Sequence, residues 1–273
     1  MGKKKFLVLI ILGILIPGSG FAMGTETSIG ERFSGETVKY SVGFWLIDPV
    51  GRGTAEFRNV GGGKYVVYHE GKTEGIVAWL TRNRKEIYQS TMTTVNSGKR
   101  LIPLCFEEYS VIGEWVRKKT TTYDYEHRKV IIELEKEGQA MPREEVEIPF
   151  GAVYDDPVTA FYNFRFGVYG TVEQGKEYLI RTLPRMKEEV IRIRVLSEKE
   201  TEIRRAEEKD NQGKDLLIRI SLDREMWGRR KGEMDLWFNR DLVPMSGVVR
   251  DVPFFGDIKG RKEFYGFPAK PGS

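Results

Sequence analysis

Residues 38–44 read Val38-Lys39-Tyr40-Ser41-Val42-Gly43-Phe44. Apolar or aromatic side chains take every second position, with Lys39, Ser41 and Gly43 between them. In an extended chain successive side chains point to opposite faces, so this stretch reads as a strand with one buried face and one wet face. The pattern recurs from Tyr65 to Glu70, where Gly61-Gly62-Gly63 supplies the preceding turn. Thr120 to Tyr125 is rich in Thr and Tyr, which suit a pleated surface. Val130, Ile132 and Leu134 alternate in the same way, as do Val146, Ile148 and Phe150. Further along, Ile191, Ile193 and Val195 alternate with Arg192 and Arg194. Ile218, Ile220 and Leu222 alternate with Arg219 and Ser221, and Met234, Leu236 and Phe238 with Glu233, Asp235 and Trp237. A closing strand is expected over 257–265. About a dozen short strands with turn residues between them suit an antiparallel barrel, half-barrel or sandwich. The fold expected is mainly β: an antiparallel β-barrel or half-barrel-like sheet with one short helix near mid-chain.

That helix breaks the period of two. Asp155-Asp156-Pro157 precedes Val158 to Phe166. Asp156 is a good N-cap, and Pro157 fits the first helical position. Val158, Phe161, Tyr162 and Arg165 fall at i, i+3, i+4 and i+7 and share one face. Gly167 and Gly170 can end the helix. It separates two β-rich halves, about 31–150 and 174–265, of a single β-rich domain spanning 23–273. The charge-dense stretches Gln139–Glu147 and Arg204–Lys214 read as solvated loops or hairpin tips.

The N-terminus speaks to the compartment. Lys3-Lys4-Lys5 precedes an apolar run from Phe6 to Ile16, which Pro17-Gly18-Ser19-Gly20 breaks before Phe21-Ala22. This is the charged, apolar and small-residue order of a secretory signal peptide over residues 1–22, with cleavage expected after Ala22. The run is roughly half the ~20 residues a membrane span needs. The same run in an uncleaved chain would be an N-terminal anchor. No Cys follows it to carry a lipid. Periplasmic location, or peripheral association with the outer membrane, is the expectation. Removing three lysines and no acids lowers the formal net charge from +4 to +1. A basic excess suited to nucleic acid is therefore missing. No later segment is long and apolar enough to cross a membrane. Cys105, between Leu104 and Phe106, is the only cysteine; it allows no intrachain disulfide and reads as a buried, inert thiol.

Catalytic signals are sparse. The only histidines, His69 and His127, have no second ligand within five residues, so no metal site is expected. No Gly-x-Ser-x-Gly elbow occurs. Gly71-Lys72-Thr73 imitates the end of a phosphate loop, but Val66 stands at the first glycine position. The pairs Asp155/Asp156, Glu107/Glu108 and Glu144/Glu145 are adjacent, and adjacent residues on a strand face apart, whereas glycosidases hold two carboxylates across a cleft. No catalytic residue, metal or cofactor is assigned. The aromatics are more suggestive: Phe161, Tyr162, Phe164 and Phe166 crowd the helix, and Trp79, Trp115, Trp227 and Trp237 are placed in or beside strands. Around a β cavity they would suit an apolar or amphiphilic ligand; packed together they are ordinary core. Arg165, if buried, needs a carboxylate or carbonyl partner, or an anionic ligand head group. Asp156, Tyr162, Arg165 and Trp237 are the ligand-binding candidates.

Three segments carry a resemblance. They are Gly35-Glu36 with Tyr40 and Gly53; Asp156-Pro157-Val158-Thr159-Ala160-Phe161-Tyr162-Asn163-Phe164-Arg165; and Gly232-Glu233-Met234-Asp235-Leu236-Trp237-Phe238 with Asn239, Asp241, Val243 and Pro244. On these residues the chain resembles the bacterial domain-of-unknown-function 3108 family. The resemblance implies an envelope β protein with an open or closed barrel, and no reaction. Asp156 and Arg165 match its helix motif.

The leading expectation is a non-enzymatic binding or carrier protein for a lipid-like or amphiphilic envelope component, held in a β cavity capped by the 156–166 helix. The alternative is a structural or assembly factor of the envelope with a protein partner, exposing apolar patches or a sheet edge. A hydrolase, the third reading, needs a cleft with convergent ionisable groups.

Overall fold

The alternating segments become fifteen strands of one antiparallel sheet. The computed structural model describes residues 27–44, 47–185, 188–207, 213–222, 232–252 and 256–267. Residues 1–22, where a signal peptide is expected, and Trp227 lie outside them. In chain order the strands are β1 (Thr37–Phe44), β2 (Ile47–Gly61), β3 (Lys64–Thr73), β4 (Lys85–Val95), β5 (Arg100–Ile112), β6 (Trp115–Asp124), β7 (Lys129–Lys136), β8 (Gln139–Ala140), β9 (Glu144–Glu147), β10 (Glu177–Arg185), β11 (Glu188–Val195), β12 (Leu216–Leu222), β13 (Gly232–Phe238), β14 (Pro244–Val252) and β15 (Gly256–Gly266). The sheet runs from β10 through β15, then β1 to β8, with β9 also on β7. β1 lies between β2 and β15, so both halves of the chain belong to one sheet. β10 and β8 are its ends, and the barrel is open.

The mid-chain helix, α3 (Pro157–Phe166), forms where the caps place it. Asp156 accepts from the amides of Val158 and Thr159, and Gly167 ends the helix at φ 86°. Its position differs from a cap over a cavity. Eight of its ten residues are buried, including Thr159, Ala160, Asn163 and Phe164, which lie off the expected face. The rings of Phe57 on β2, Tyr178 on β10 and Phe238 on β13 pack against Tyr162, Phe164 and Phe161. Asn163 bonds β5. Strands from across the whole sheet therefore converge on one helix, and the sheet curls around it. A ten-residue helix with this many aromatics gains little from propensity; burial on all sides stabilises it.

Among the described residues three more helices occur where one was expected: α1 (Ile29–Phe33), α2 (Gly75–Leu80) and α4 (Glu198–Ala206). α1 and α4 each start in a capping box, Ser28 with Glu31 and Ser197 with Glu200. The Ser-x-x-Glu spacing was present in the sequence. Arg204 to Ala206, expected in a loop, form the last turn of α4. Gln139–Glu147, expected as a loop, contains the short edge strands β8 and β9.

Gly53 shows how closely the inner face is fitted. It pairs with Tyr40 on one side and Gly71 on the other. The Tyr40 ring crosses over it, and a Cβ on Gly53 would stand 2.0 Å from Tyr40 Cζ. Gly53→Ala is expected to lower stability by roughly 1–3 kcal/mol in urea unfolding, through overpacking. Because the two residues touch, Gly53→Ala combined with Tyr40→Ala should cost less than the sum of the single changes.

Candidate functional site

Three of the four sequence candidates meet at α3. The Arg165 guanidinium is buried, and each of its three nitrogens is hydrogen-bonded. Its Nη1 and Nη2 donate to the two carboxylate oxygens of Glu36 at 2.9 and 3.1 Å, and its Nε donates to the Leu242 carbonyl at 2.9 Å. The rings of Phe33, Phe161 and Tyr162 surround it, at 4.6–5.5 Å from the guanidinium carbon. Tyr162 stacks edge-on against Phe33 and Phe57. Burial first, then the Glu36 charge, holds its hydroxyl well above the usual tyrosine range.

Asp156 is spent on structure as well. Beyond the two helix amides, one of its oxygens accepts from Ser90 Oγ on β4 and Thr159 Oγ1, both at 2.7 Å. Burial pushes its carboxyl up, against those donors. Asn163, which the sequence marked only as part of the helix motif and not as a site residue, donates to the Leu101 carbonyl and accepts from the Leu101 amide, both at 2.9 Å. Asp155 accepts from Arg100 at 3.0 Å and from the Tyr169 hydroxyl. Burial pushes it up to about 6 although Arg100 and Tyr169 oppose the shift.

A second buried polar group lies on the inner face of β1 to β6. Tyr40 reaches across Gly53 to His69 on β3, stacked at 5.5 Å between centroids and hydrogen-bonded to Nε2. Burial holds His69 down to about 4. Next to it, the Glu86 carboxylate accepts from Arg84 at 2.7 Å, from Tyr88 at 3.1 Å and from Ser110. Lys119 on β6 pairs with Glu108 on β5 at 2.7 Å. Each charge has its complement on the same or a neighbouring strand. The sequence signal was faint: Glu86 shares its strand face with Tyr88 and Met92 at a spacing of two.

Trp237, the fourth candidate, is on the other side of the sheet. Met234, Leu236 and Phe238 face the core, whereas Trp237 packs with Leu196 and Leu217 in a separate cluster. The side chains of Arg205 and Lys214 lie over its ring at about 6 Å. Both also line a groove of about 600 Å³, with Thr201, Glu198, Asp215 and Arg240. The Thr201 hydroxyl there is buried, at 1% residue exposure, and has no hydrogen-bond partner. The structure therefore does not bring Trp237 together with Asp156, Tyr162 and Arg165.

The other tryptophans divide. Trp115 opens β6, but Trp79, expected in or beside a strand, sits on α2. Ile76, Trp79 and Leu80 of that helix are 66%, 76% and 65% exposed. His127 is exposed and bonded to Asp124 at 2.8 Å, and Cys105 is half-buried, its thiol pushed up by burial and Glu107. Among the described residues no group of three or more His, Cys, Asp or Glu is placed to hold a metal ion.

The family model described as "Protein of unknown function (DUF3108)" matches residues 38–260. No curated protein matches the chain. Among solved structures, a beta-barrel-like protein of domain of unknown function DUF1849 from Brucella abortus aligns with TM-score 0.48 and 10% identity, over 87% of this chain and 99% of that one. The hypothetical protein CT021 from Chlamydia trachomatis aligns with TM-score 0.29 and 11% identity, over 90% of this chain and 95% of that one.

Two consequences are measurable. Arg165→Met leaves the Glu36 carboxylate buried without its partner and should cost about 3–5 kcal/mol in denaturant unfolding. Adding Glu36→Gln should recover part of that loss. The second consequence concerns pH. Unfolded, His69 takes up a proton near its ordinary value of 6.5; folded, it does so only near 4. Its contribution is therefore full above pH 6.5 and is lost as the pH falls to 4. Asp155, raised from 3.8 to about 6, works in the opposite sense over the same range. Between pH 7 and 5 the His69 contribution alone falls by about 2 kcal/mol. Asp155 is common to both proteins, so wild type should lose about that much more stability over this interval than His69→Gln.

Proposed function

The chain belongs to the family described as protein of unknown function DUF3108, and from that premise we propose a non-enzymatic structural or assembly role in the cell envelope, following export directed by residues 1–22. The observation that carries this reading is α2, which presents Ile76, Trp79 and Leu80 to solvent on a short helix between β3 and β4. Large apolar side chains gathered on one surface mark an interaction site. The interior supports the same division of roles. α3 fills the space in which a carrier would hold an amphiphile, and Asp156 and Arg165 have spent their hydrogen bonds on the sheet. The buried carboxylates Glu36, Glu86 and Glu108 are each paired with Arg or Lys, and Asp156, which has no cation partner, is taken up by Ser90, Thr159 and the helix amides, which speaks against a hydrolase.

A second reading, binding of a small polar molecule, is favoured by the Thr201 hydroxyl. A buried hydroxyl without a partner costs roughly 1–3 kcal/mol, and a ligand in the groove beside Arg205 and Lys214 would satisfy it once the groove opens enough to uncover the hydroxyl.

Native mass spectrometry separates the readings. The chain purified from a bacterium expressing the full sequence should show the bare polypeptide mass. A bound mass released by organic solvent would instead favour a carrier, and one lost on Thr201→Val would assign it to the groove.

A further inference from the structure

We infer that α2 is a lipid-surface anchor: Ile76, Trp79 and Leu80 enter the headgroup–acyl boundary of an anionic membrane while flanking cations meet its headgroups. The inference rests on the assembly reading and names the surface on which that role is exercised.

The helix is built to present these side chains. Gly75-Ile76-Val77-Ala78-Trp79-Leu80 has a single buried residue, Val77. The Glu74 amide donates to the Val50 carbonyl at 2.8 Å, and Glu74 pairs with Arg52 at 2.5 Å. At the other end Thr81 Oγ1 donates to the Val77 carbonyl at 2.6 Å. The turn is thus fixed to β2 from below while its apolar side chains stand outward.

Charge and size select the occupant. Residues 72–85 carry Lys72, Arg82, Arg84 and Lys85 against one acid, Glu74. Arg84 is engaged with Glu86, and Lys85 with Glu70 at 3.1 Å. Lys72 is exposed beside the helix, and the Arg82 side chain lies against the β5–β6 turn at Gly113. Cations flanking an apolar surface add attraction to anionic lipid. Trp is suited to the boundary because its ring is apolar and its N–H polar. A stable protein interface needs roughly 800 Å² per partner, more than three side chains on one helical turn supply. A bilayer requires only that apolar side chains reach it. No helix among the described residues is long and apolar enough to span a membrane, so the contact is interfacial.

The test uses the chain recovered from an expressing bacterium, mixed with vesicles of phosphatidylglycerol and phosphatidylethanolamine containing brominated acyl chains. Bromine quenches only tryptophans that reach the acyl chains, so the difference between wild type and Trp79→Ser reports α2 however else the chain attaches. Wild type should be quenched, and Trp79→Ser should lose most of the difference while its melting curve is unchanged. Ile76→Ser with Leu80→Ser should weaken vesicle binding roughly tenfold. Arg82→Glu should weaken binding to these vesicles and leave binding to phosphatidylcholine vesicles unaffected. Equal quenching in wild type and Trp79→Ser, or a protein that co-purifies through α2 while vesicles do not bind, would overturn the inference. Absent quenching with a bare native mass removes the lipid surface and leaves the assembly reading. Quenching with a solvent-extractable mass does the reverse.

Discussion

The Arg165–Glu36 pair is the constraint on which the rest of the architecture turns. A guanidinium inside a β sheet is tolerable only when its donors are matched, and here the partners come from three distant places. Glu36 precedes β1, Arg165 lies on α3, and Leu242 sits in the turn between β13 and β14. Joining them requires the two ends of the chain to fold onto one helix, so the curl of the sheet follows from satisfying one buried charge. Replacing such a pair with well-packed apolar groups is often neutral or stabilising, whereas losing one member is severe. The pair is therefore better understood as fixing a geometry than as a large net source of stability. The three segments that carry the family resemblance are the ones that meet here. Glu36 belongs to the first, Arg165 to the second, and Asn239 to the third. Asn239 organises the turn by accepting from the amides of Asp241 and Val243.

Strands were legible because each reports its own period. Val38, Tyr40 and Val42 alternate without reference to any partner, and all three are buried. The ends of α3 were legible for the same reason, since Asp156, Pro157 and Gly167 act within one turn. The helix's surroundings were not legible. A stripe at i, i+3, i+4 and i+7 implies one buried face, but Thr159 and Asn163 are as buried as Phe161 because strand groups satisfy them. Asn163 in effect takes a strand's place beside Leu101, bonding both its amide and its carbonyl. Nothing local in Asn163 announces this. The missed helices are of another kind: Ser28 with Glu31 and Ser197 with Glu200 are local signals that the dominance of strand patterns obscured.

The inner polar groups were hidden by register. Glu86, Glu108 and Lys119 look like surface residues until the strands are aligned, when Glu108 falls opposite Lys119 and Glu86 opposite Ser110. Tyr40 and His69 are separated by a whole strand and touch only because Gly53 lies between them. Trp237 illustrates the converse. Alternation put it on the face opposite Met234, Leu236 and Phe238, and that face would be wet on an isolated sheet. Arg205 of α4 and Lys214 cover it instead, so both faces of β13 are buried and alternation no longer distinguishes inside from outside.

An open sheet has another problem, and its solution bears on where recognition takes place. Unpaired edges invite other strands. At one edge β9 reads Glu144-Glu145-Val146-Glu147, three acids on four residues. At the other, the segment leading into α3 lies along β10: Asp155 bridges Thr182 in parallel, and its amide donates to the Arg181 carbonyl at 3.0 Å. The same Asp155 is held by Arg100 and Tyr169, so the edge cover and the helix plug are one structure. Strand addition by a partner would have to overcome like charge at the first edge or displace the anchored segment at the second. Neither defence extends to α2, where Trp79 and Leu80 face solvent. With both sheet edges guarded, α2 gathers three large exposed apolar side chains, Ile76, Trp79 and Leu80, on one helical turn, and that turn is open to association.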